Sequence, residues 1–415
     1  MDTLATHVEP PQSQGELQTK RTVRVLSLSG TFPNPSEENL GPFVRQRLQH
    51  VAKLLEVQVV APIGVLDYAA RGFRKRGIPL GQQDERLYVH YPRWLYLPFG
   101  GYHGSFILAA RLLPFLRRLR REYPFDVIDA HFAFPAGIAA AALGTALRCP
   151  FTITLRGNET MHAQSSGMRR WMQWAFHRAA RIITVSERLR QFAISEGVEA
   201  SRVRTIPNGV DGNVFYPRPY AETRVKLGIP EGQKAIVSAG GLIERKGHHR
   251  VVQALSEMRR QGHNTGLWII GGPGREGMFE GQIRRAVQEH GLESVVHFTG
   301  NVKPAVLAEY MSAADVVCLA SSREGWPNVV HEAQACGAPT VATDVGGVQD
   351  MIPSDDYGIV VSPADDAMLS AGLSKAIHTR WDRTRIAAWG QARSWERVAA
   401  ETAEALRAAA EERRV

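Results

Sequence analysis

Two glutamates eight positions apart give this sequence its clearest chemical signal. Pro327 suits the first position of a helix and Gly337 suits the residue just after a helix end, so Glu332 is predicted inside a helix and Glu324 in the loop before it. A helix N-terminus attracts anions, and carboxylates accept hydrogen bonds from hydroxyls. The pair could therefore hold a sugar nucleotide, whereas two ordinary glutamates on a surface helix are the alternative from spacing alone. The residues between them that we assign to ligand binding are Gly325, Trp326, Pro327, Asn328 and Val329.

The residues that follow favour the ligand-binding interpretation. An Ala-Cys-Gly-Ala-Pro turn at 335–339 leads into a short β-branched strand and then the pair Gly346-Gly347. Residues 315–350 resemble the signature of the family-four retaining glycosyltransferases, E-x7-E followed by A-x-G-x-P-V-V-A-x-x-x-G-G. The match keeps both glutamates, the Asn328 position and the glycine pair, so it is far more specific than a lone glycine motif.

The resemblance implies roles for three charged residues. Glu332 would accept hydrogen bonds from the ribose hydroxyls of a nucleotide sugar, and Glu324 would hold the hydroxyls of the transferred sugar. Lys246 would neutralise the diphosphate, whose negative charge grows as the glycosidic bond breaks. The leaving phosphate, rather than a side chain, would take the proton of the acceptor.

Residues near the ends of other predicted strands are assigned by the same resemblance. His131 would face the cleft beside the reacting carbon, although a lone histidine is more often structural, and Arg156 and Glu159 would belong to an acceptor-side loop. Gly41 would take the place of a glycine that closes over the diphosphate, and Gly272 would let the backbone approach the nucleotide. Ordinary turns are the alternative for both glycines.

One position departs from the family pattern. The family prefers an arginine where this chain has Gly241, so a cation that would contact the diphosphate is missing there. Arg245 adjoins Lys246 in the same predicted turn, and its forked donors suit a phosphate. Arg245 is therefore the candidate to replace the missing arginine, and the alternative is that it points to solvent and leaves a weaker or differently shaped diphosphate site.

Length and composition indicate a soluble enzyme-sized chain. The 415 residues predict two or three domains, and 44% hydrophobic and 22% charged residues are typical of globular proteins. Cys149, Cys318 and Cys336 form no CxxC pair, which predicts a reducing, cytoplasmic compartment and no metal site. Residues 1–20 lack the basic start and apolar core of a signal peptide, so a disordered tail is expected.

The positive charge is confined to one half of the chain. Residues 1–215 contain 27 Lys and Arg against 17 Asp and Glu, or +10, whereas residues 216–415 contain 23 against 24, or −1. A basic half favours an anionic partner such as a phospholipid surface or a lipid pyrophosphate, and nucleic acid is not expected because no binding motif accompanies the charge. Five aromatic residues precede the basic stretch 111–121: Tyr91, Trp94, Tyr96, Phe99 and Tyr102. This pattern fits docking at an anionic membrane, or else a core-facing helix with a solvated arginine face.

The order of predicted elements indicates an α/β fold. Apolar strands alternate with helical patterns in both halves, which predicts two doubly wound, Rossmann-like domains with parallel sheets. The loop Ser29–Pro33 lacks the G-x-G-x-x-G fingerprint of a dinucleotide-dependent oxidoreductase, the rival for this architecture. The resemblance implies the GT-B fold, with a cleft between the domains and a last helix that returns to the first domain. The predicted divisions are a tail at 1–21, domains at 22–210 and 211–380, and a closing segment at 381–415.

These observations together predict a metal-independent, retaining hexosyltransferase that needs no cofactor. Its donor would be a nucleotide-diphosphate sugar, and its acceptor a glycan or polyprenyl-linked sugar in polysaccharide, exopolysaccharide or cell-envelope synthesis. It would work in the cytoplasm, with peripheral contact to the inner face of the membrane. The alternatives are an epimerase or phosphorylase of the same fold, and a scaffold that binds sugar nucleotides without turnover.

Overall fold

Two parallel sheets follow one another along the chain, each covered by helices on both faces. The computed structural model describes residues 22–65, 77–94, 101–274, 277, 279–363 and 365–412. The predicted tail at 1–21 and the aromatic residues Tyr96 and Phe99 lie outside the described residues.

The first sheet has parallel strands at its centre and one antiparallel edge strand. The strands of this half are β1 (Arg24–Leu28), β2 (Glu56–Val60), β3 (Ile63–Gly64), β4 (Gly81–Asp84), β5 (Leu87–His90), β6 (Arg93–Trp94), β7 (Val127–His131), β8 (Phe151–Leu155), β9 (Arg181–Thr184) and β10 (Val203–Thr205). Within the described residues the sheet order is β10-β9-β8-β7-β1-β2-β5-β4, and β3 pairs separately with β6. Only β4 runs antiparallel, against β5. Strands β7 and β8 are buried throughout, as central strands between two helical layers must be.

The helices of the first half cover both faces of this sheet. They are α1 (Pro42–Val51), α2 (His103–Glu122), α3 (Ile138–Leu147), α4 (Glu159–His162), α5 (Ser166–Arg178) and α6 (Glu187–Ser195). A π-helical turn at Ala133–Gly137 and a 3-10 turn at Ala200–Arg202 complete this half.

Helix α2 contains the basic stretch 111–121, which has one buried face and one exposed face. Leu112 and Leu116, four positions apart, are buried in the core of the first domain, while Arg117 lies on the exposed face. Tyr91 and Trp94 are also buried. Helix α2 therefore turns its apolar side to the core and leaves an arginine face exposed. No helix in the described ranges is long and apolar enough to cross a membrane.

The second domain repeats the plan with a smaller sheet. Its strands are β11 (Lys234–Ala239), β12 (Thr265–Ile270), β13 (Val296–Gly300), β14 (Val316–Leu319), β15 (Thr340–Thr343) and β16 (Gly358–Val361). They pair in the order β13-β12-β11-β14-β15-β16, all parallel. Its helices are α7 (Tyr220–Lys226), α8 (His248–Arg260), α9 (Glu280–Glu289), α10 (Pro304–Ala313), α11 (Asn328–Ala335), α12 (Val348–Met351), α13 (Asp366–His378) and α14 (Arg383–Gln391).

Helix α11 begins one residue later than predicted, with Pro327 as its N-cap, and it ends at the predicted place. It begins directly after Pro327, and Gly337 follows its end with φ +75°, a conformation that favours glycine. The prediction that Glu332 lies inside a helix and Glu324 in the preceding loop is thereby confirmed.

The C-terminal segment divides between the two domains. Helix α14 packs against α11, so closely that a Cβ on Gly390 would lie 2.3 Å from the backbone N of Ala335. Helix α15 (Trp395–Glu411) instead crosses to the first domain, where Ala403 and Leu406 join a core cluster with residues of α1. The predicted fold of two Rossmann-like domains with a returning C-terminal helix is confirmed.

Candidate active site

A cavity of about 390 Å³ lies between the two domains, at the carboxyl ends of their parallel strands. Open α/β sheets bind ligands at this edge. The first domain contributes Phe43, Phe132, Arg156, Gly157, Asn158, Val185 and Asn208. The second contributes Ala239, Gly240, Arg245, Lys246, Leu307, Arg323, Glu324, Gly325, Trp326, Pro327, Asn328, Val329 and Glu332. Of the fourteen residues assigned from sequence, all line this cavity except Gly41, His131, Glu159 and Gly272.

Glu324 is the most strongly paired acid of the cavity. Its Oε1 lies 2.6 Å from Lys246 Nζ, 2.8 Å from Ser321 Oγ and 3.4 Å from Arg245 Nη1. Burial opposes its charge, but Lys246 and Arg245 outweigh burial and hold the pKa of Glu324 below its ordinary value. Glu324 is therefore a carboxylate at neutral pH, and Lys246 and Arg245 converge on one point of the cavity.

Glu332 has the opposite electrostatic environment. Burial raises the pKa of its carboxyl group to about 7, and Lys246 offsets only part of that effect. Its neighbour His331 is buried, with a pKa lowered by burial to about 4, so it stays neutral around pH 7. The two glutamates of the motif thus differ in charge at neutral pH because only Glu324 has cations in direct contact.

A chain of polar side chains joins the domains across the cavity. Arg156 stacks over Phe43, and its Nη1 donates to Asn208 Oδ1 at 3.2 Å. Asn208 Nδ2 in turn donates to Asn328 Oδ1 at 3.0 Å, at the first residue of α11. The N-terminus of α11 is therefore held in register with the first domain through Asn208.

His131 lies behind Arg156 and does not line the cavity. Its ring is fully buried, its Nδ1 accepts from Arg156 Nη2 at 3.0 Å, and its Nε2 lies 3.2 Å from Asp129 Oδ2. Burial lowers the pKa of His131 more than Asp129 raises it, so the ring is neutral and acts as an acceptor for Arg156. The predicted orientation of His131 toward the cleft is wrong, because the ring is fully buried and its Nδ1 faces the guanidinium of Arg156.

Three other assigned residues shape loops around the cavity without lining it. The carboxylate of Glu159 is buried and accepts backbone N–H groups, among them Gly157 N at 2.7 Å, so it holds the loop that carries Arg156. Gly41 has φ +63°, and a Cβ there would lie 2.6 Å from the carbonyl oxygen of Thr31. A Cβ on Gly272 would lie 2.7 Å from the side chain of Asn301. Backbone packing therefore requires a glycine at 41, whereas at 272 the side chain of Asn301 would have to move.

The two domains touch through backbone at one edge of the cavity. A Cβ on Gly325 would lie 1.8 Å from the carbonyl oxygen of Arg156, and a Cβ on Gly157 would lie 2.5 Å from the Cα of Gly325. Beside this contact, Arg188 Nη2 pairs with Asp344 Oδ1 at 2.6 Å. This arrangement of the domains therefore excludes any side chain at 157 or 325.

Comparison with known sequences agrees with this geometry. Residues 43–213 match the family described as Glycosyltransferase Family 4, and residues 220–393 match Glycosyl transferases group 1. A D-inositol 3-phosphate glycosyltransferase of Pseudarthrobacter chlorophenolicus is 31% identical over 313 residues, which cover 71% of this chain and 74% of that protein. The chain belongs to the group 1 glycosyltransferases.

Two further similarities extend over nearly the whole chain of this group 1 glycosyltransferase. The putative teichuronic acid biosynthesis glycosyltransferase TuaC of Bacillus subtilis is 25% identical over 386 residues, or 88% of this chain and 92% of TuaC. The Anabaena HepE protein, whose structure was solved in complex with UDP, superposes with a TM-score of 0.70 at 21% identity. That superposition covers 93% of this chain and 99% of HepE, and it establishes the shared GT-B fold.

Several residues that line the glycosyltransferase cavity were not assigned from sequence. Asn208 is one of them, and its contact with Asn328 depends on how the domains meet. Phe132 adopts φ +70°, which is unusual for a bulky residue and turns the chain into the cavity directly after β7. Arg323 adds a further cation to the wall next to Glu324. Only Arg323 was recognisable in the sequence, as the basic neighbour of the motif.

The glycine contact predicts that Gly325→Ala impairs this glycosyltransferase severely. The added methyl group cannot fit beside Arg156, so the two walls of the cavity must separate. A displacement on the order of 1 Å between reacting groups can reduce activity about a hundredfold. We expect kcat/KM to fall by about that factor and small-angle X-ray scattering to show a larger radius of gyration.

Gly281→Ala is the matched control, because a Cβ at that position in α9 meets nothing within 4 Å. It should leave both measurements unchanged. A Gly325→Ala variant with normal activity and normal dimensions would show that the contact between 157 and 325 is not needed for turnover.

Proposed function

We propose that the protein transfers a sugar from a nucleotide-diphosphate sugar to a glycan or polyprenyl-linked acceptor, with retention of anomeric configuration and without a cofactor or metal ion. The observation that carries the proposal is the convergence of Lys246, Arg245 and Glu324 beside the N-terminus of α11. Cations and helix N-terminal N–H groups stabilise a leaving diphosphate. The structure of HepE in complex with UDP supports a nucleotide-linked donor.

The proposed roles follow from the different electrostatic environments of Glu324 and Glu332. Glu324, charged and paired with Lys246, holds the hydroxyls of the transferred sugar. Glu332 receives the ribose hydroxyls, and Lys246 with Arg245 neutralises the diphosphate. Because these two cations can balance the leaving charge, the reaction does not require a metal ion.

Retention is supported by the composition of the acceptor-side wall. An inverting displacement needs a base that faces the reacting carbon from the acceptor side. Among the described residues that the first domain contributes to the cavity, none is a carboxylate or a histidine. His131 is covered by Arg156, so the leaving phosphate is the base that we propose for the acceptor's proton.

The acceptor and location are proposed from the relatives and the charge distribution. The name of TuaC, a putative teichuronic acid biosynthesis enzyme, supports a role in cell-envelope polysaccharide synthesis. The +10 charge of residues 1–215 and the exposed Arg117 on α2 support peripheral contact with an anionic membrane at its cytoplasmic face. Three buried free cysteines fit a reducing compartment: Cys149, Cys318 and Cys336.

A donor screen tests the proposed reaction directly. A nucleotide sugar at a hundred times its dissociation constant should stabilise the protein by about 2.7 kcal/mol in a thermal-shift assay. The stabilising donor, given with membrane glycolipids, should yield a product whose anomeric configuration by NMR equals that of the donor, in excess chelator. An inverted product, an epimerised donor, or complete loss of activity that Mn²⁺ restores would contradict the proposal.

The missing family arginine at Gly241 predicts that Arg245 carries part of the diphosphate charge. Arg245→Ala should lower kcat/KM by about ten- to a hundredfold, the effect of one charge-assisted hydrogen bond of about 1.5–3 kcal/mol. Lys246→Ala should lower it further, because Lys246 also pairs with Glu324 at 2.6 Å. Arg245→Lys should recover part of the loss by restoring the charge.

Arg285→Ala, on the exposed face of α9, is the control for removing one positive charge. Steady-state kinetics on all four variants separates the possibilities. Wild-type rates in Arg245→Ala together with collapse of Lys246→Ala would show that Arg245 does not replace the family arginine.

The raised pKa of Glu332 predicts a pH-dependent donor affinity. The ionised carboxylate accepts from both ribose hydroxyls, and its population rises from about 10% at pH 6 to about 90% at pH 8 if its pKa is about 7. If only that form binds, donor KM should fall by up to about tenfold over this range. Glu332→Gln should abolish the dependence. A profile that persists in Glu332→Gln would assign the titration to another group.

A further inference from the structure

A second polar cavity of about 370 Å³ lies on the first domain, outside the site described above. We call it the outer cavity. Its wall consists of residues from the loop after β1, the first turn of α1, the edge strand β4 and the position directly after β5: Pro33, Asn34, Pro35, Glu38, Arg45, Gln82, Asp84 and Tyr91. Each of these segments is local to the first domain, so the cavity does not depend on how the two domains meet.

The outer cavity and the cavity between the domains lie on opposite sides of the first turn of α1. Phe43 lines the interdomain cavity and Arg45, two residues later in α1, lines the outer cavity. Only the first turn of α1 separates them, a distance of roughly one helix diameter, about 10 Å. A ligand with several linked units, extended past the N-terminus of α1, would be long enough to contact both cavities.

The charge of the outer cavity is opposite to that of its half of the chain. Arg45 is committed to Asp84 through two hydrogen bonds of 2.7 and 2.5 Å, and Glu85 lies 3.4 Å from the same guanidinium. Asp84 raises the pKa of Arg45. With Glu38 also in the wall, carboxylates outnumber the single arginine, although residues 1–215 carry a charge of +10. A phosphate would be repelled here.

The exposed polar groups suit hydroxyls rather than apolar or anionic ligands. Glu38 and Gln82 are exposed side chains at the rim, and a carboxylate and an amide together offer acceptors and donors to a ring of hydroxyls. Tyr91 forms a buried floor, with its hydroxyl donating to the carbonyl oxygen of Pro33 at 3.1 Å. The carboxylates would also accept hydrogen bonds from an ammonium group.

We propose that the outer cavity binds a sugar unit of the acceptor, neutral or amine-bearing, that lies next to the unit receiving the transferred sugar. The identity of this sugar as part of the acceptor rests on the proposed transferase function. The binding of a sugar in the outer cavity does not depend on that function. It makes the acceptor an oligosaccharide rather than a single sugar phosphate, and it assigns the selection to Glu38 and Gln82.

Ligand-observed NMR on the full-length protein tests the binding. The probes are a neutral trisaccharide (maltotriose), glucosamine and glucose 6-phosphate, each with and without UDP. The test variant is Glu38→Gln with Gln82→Ala, two exposed positions where folding should be preserved. Gln83→Ala is the matched control, since neighbouring residues of a strand point to opposite faces. Lys246→Ala reports on binding at the interdomain cavity.

Maltotriose or glucosamine should bind the wild-type protein, Gln83→Ala and Lys246→Ala with equal affinity. This binding should not change when UDP is present. Glucose 6-phosphate should not bind outside the interdomain cavity. The double variant should weaken the binding of maltotriose or glucosamine about tenfold, the effect of one or two hydrogen bonds. Absence of binding by both neutral and amine probes, equal binding by the double variant, or preference for the phosphate would overturn the inference.

Failure of this inference is distinguishable from failure of the proposed function. If the protein transfers sugar and the double variant keeps wild-type kcat/KM on the native acceptor, only the outer cavity is misassigned. If the probes bind as expected but no nucleotide sugar is turned over, the outer cavity stands as a sugar-binding site and the transferase assignment fails.

Discussion

The close approach of backbone at Gly157 and Gly325 is the constraint on which the site depends. Because neither residue has a side chain, the loops after β8 and β14 can meet, and the residues beside them, Arg156 and Glu324, take opposite walls of one cavity. A third loop joins this contact, since a Cβ on Gly346 would lie 2.6 Å from the carbonyl oxygens of Glu324 and Gly325. The glycine pair of the family signature therefore has a steric reason in this chain.

Glu324 offsets part of the positive charge inside the cavity before any ligand binds. Lys246 and Arg245 are partly buried, and Glu324 supplies the carboxylate that offsets their charge. An incoming diphosphate would share these cations with Glu324. Glu332, on the next helix, has no such pairing and a pKa near 7. One motif thus contains two acids whose surroundings move their pKa values in opposite directions, as in other sites where two carboxyl groups have different tasks.

The first domain contributes positioning more than reactive groups. Arg156 is nearly buried, yet it lines the cavity because His131 and Asn208 hold its guanidinium from behind. Asn208 extends the same hydrogen-bonded chain to Asn328 in the second domain. A shift of the domains would therefore disturb the acceptor wall and the N-terminus of α11 together. The hydrogen-bonded chain as a whole therefore couples the acceptor wall to the N-terminus of α11, which none of its residues does alone.

Much of the site in the second domain could be predicted from the sequence alone, because it depends on residues that are close together in the chain. Pro327 and Gly337 determine the limits of α11 through backbone conformations available within a few residues, and those limits put Glu332 on a helix and Glu324 before it. The parallel α/β class followed for the same reason, from apolar runs that alternate with amphipathic ones. Arg245 and Lys246 share one short turn, so their proximity was also a local matter.

Only the tertiary structure decided what depends on elements far apart in the chain. The orientation of His131 could not be predicted, since it is set by Arg156 on a neighbouring strand's loop. The contact of Gly157 with Gly325 depends on how two sheets approach. The basic stretch of α2 was ambiguous for a related reason: its apolar spacing suits a membrane surface and a protein core equally, and only the folded domain shows that its apolar side packs in the core. Sequence determines conformation over a few residues, whereas burial and contact are properties of surfaces that only folding brings together.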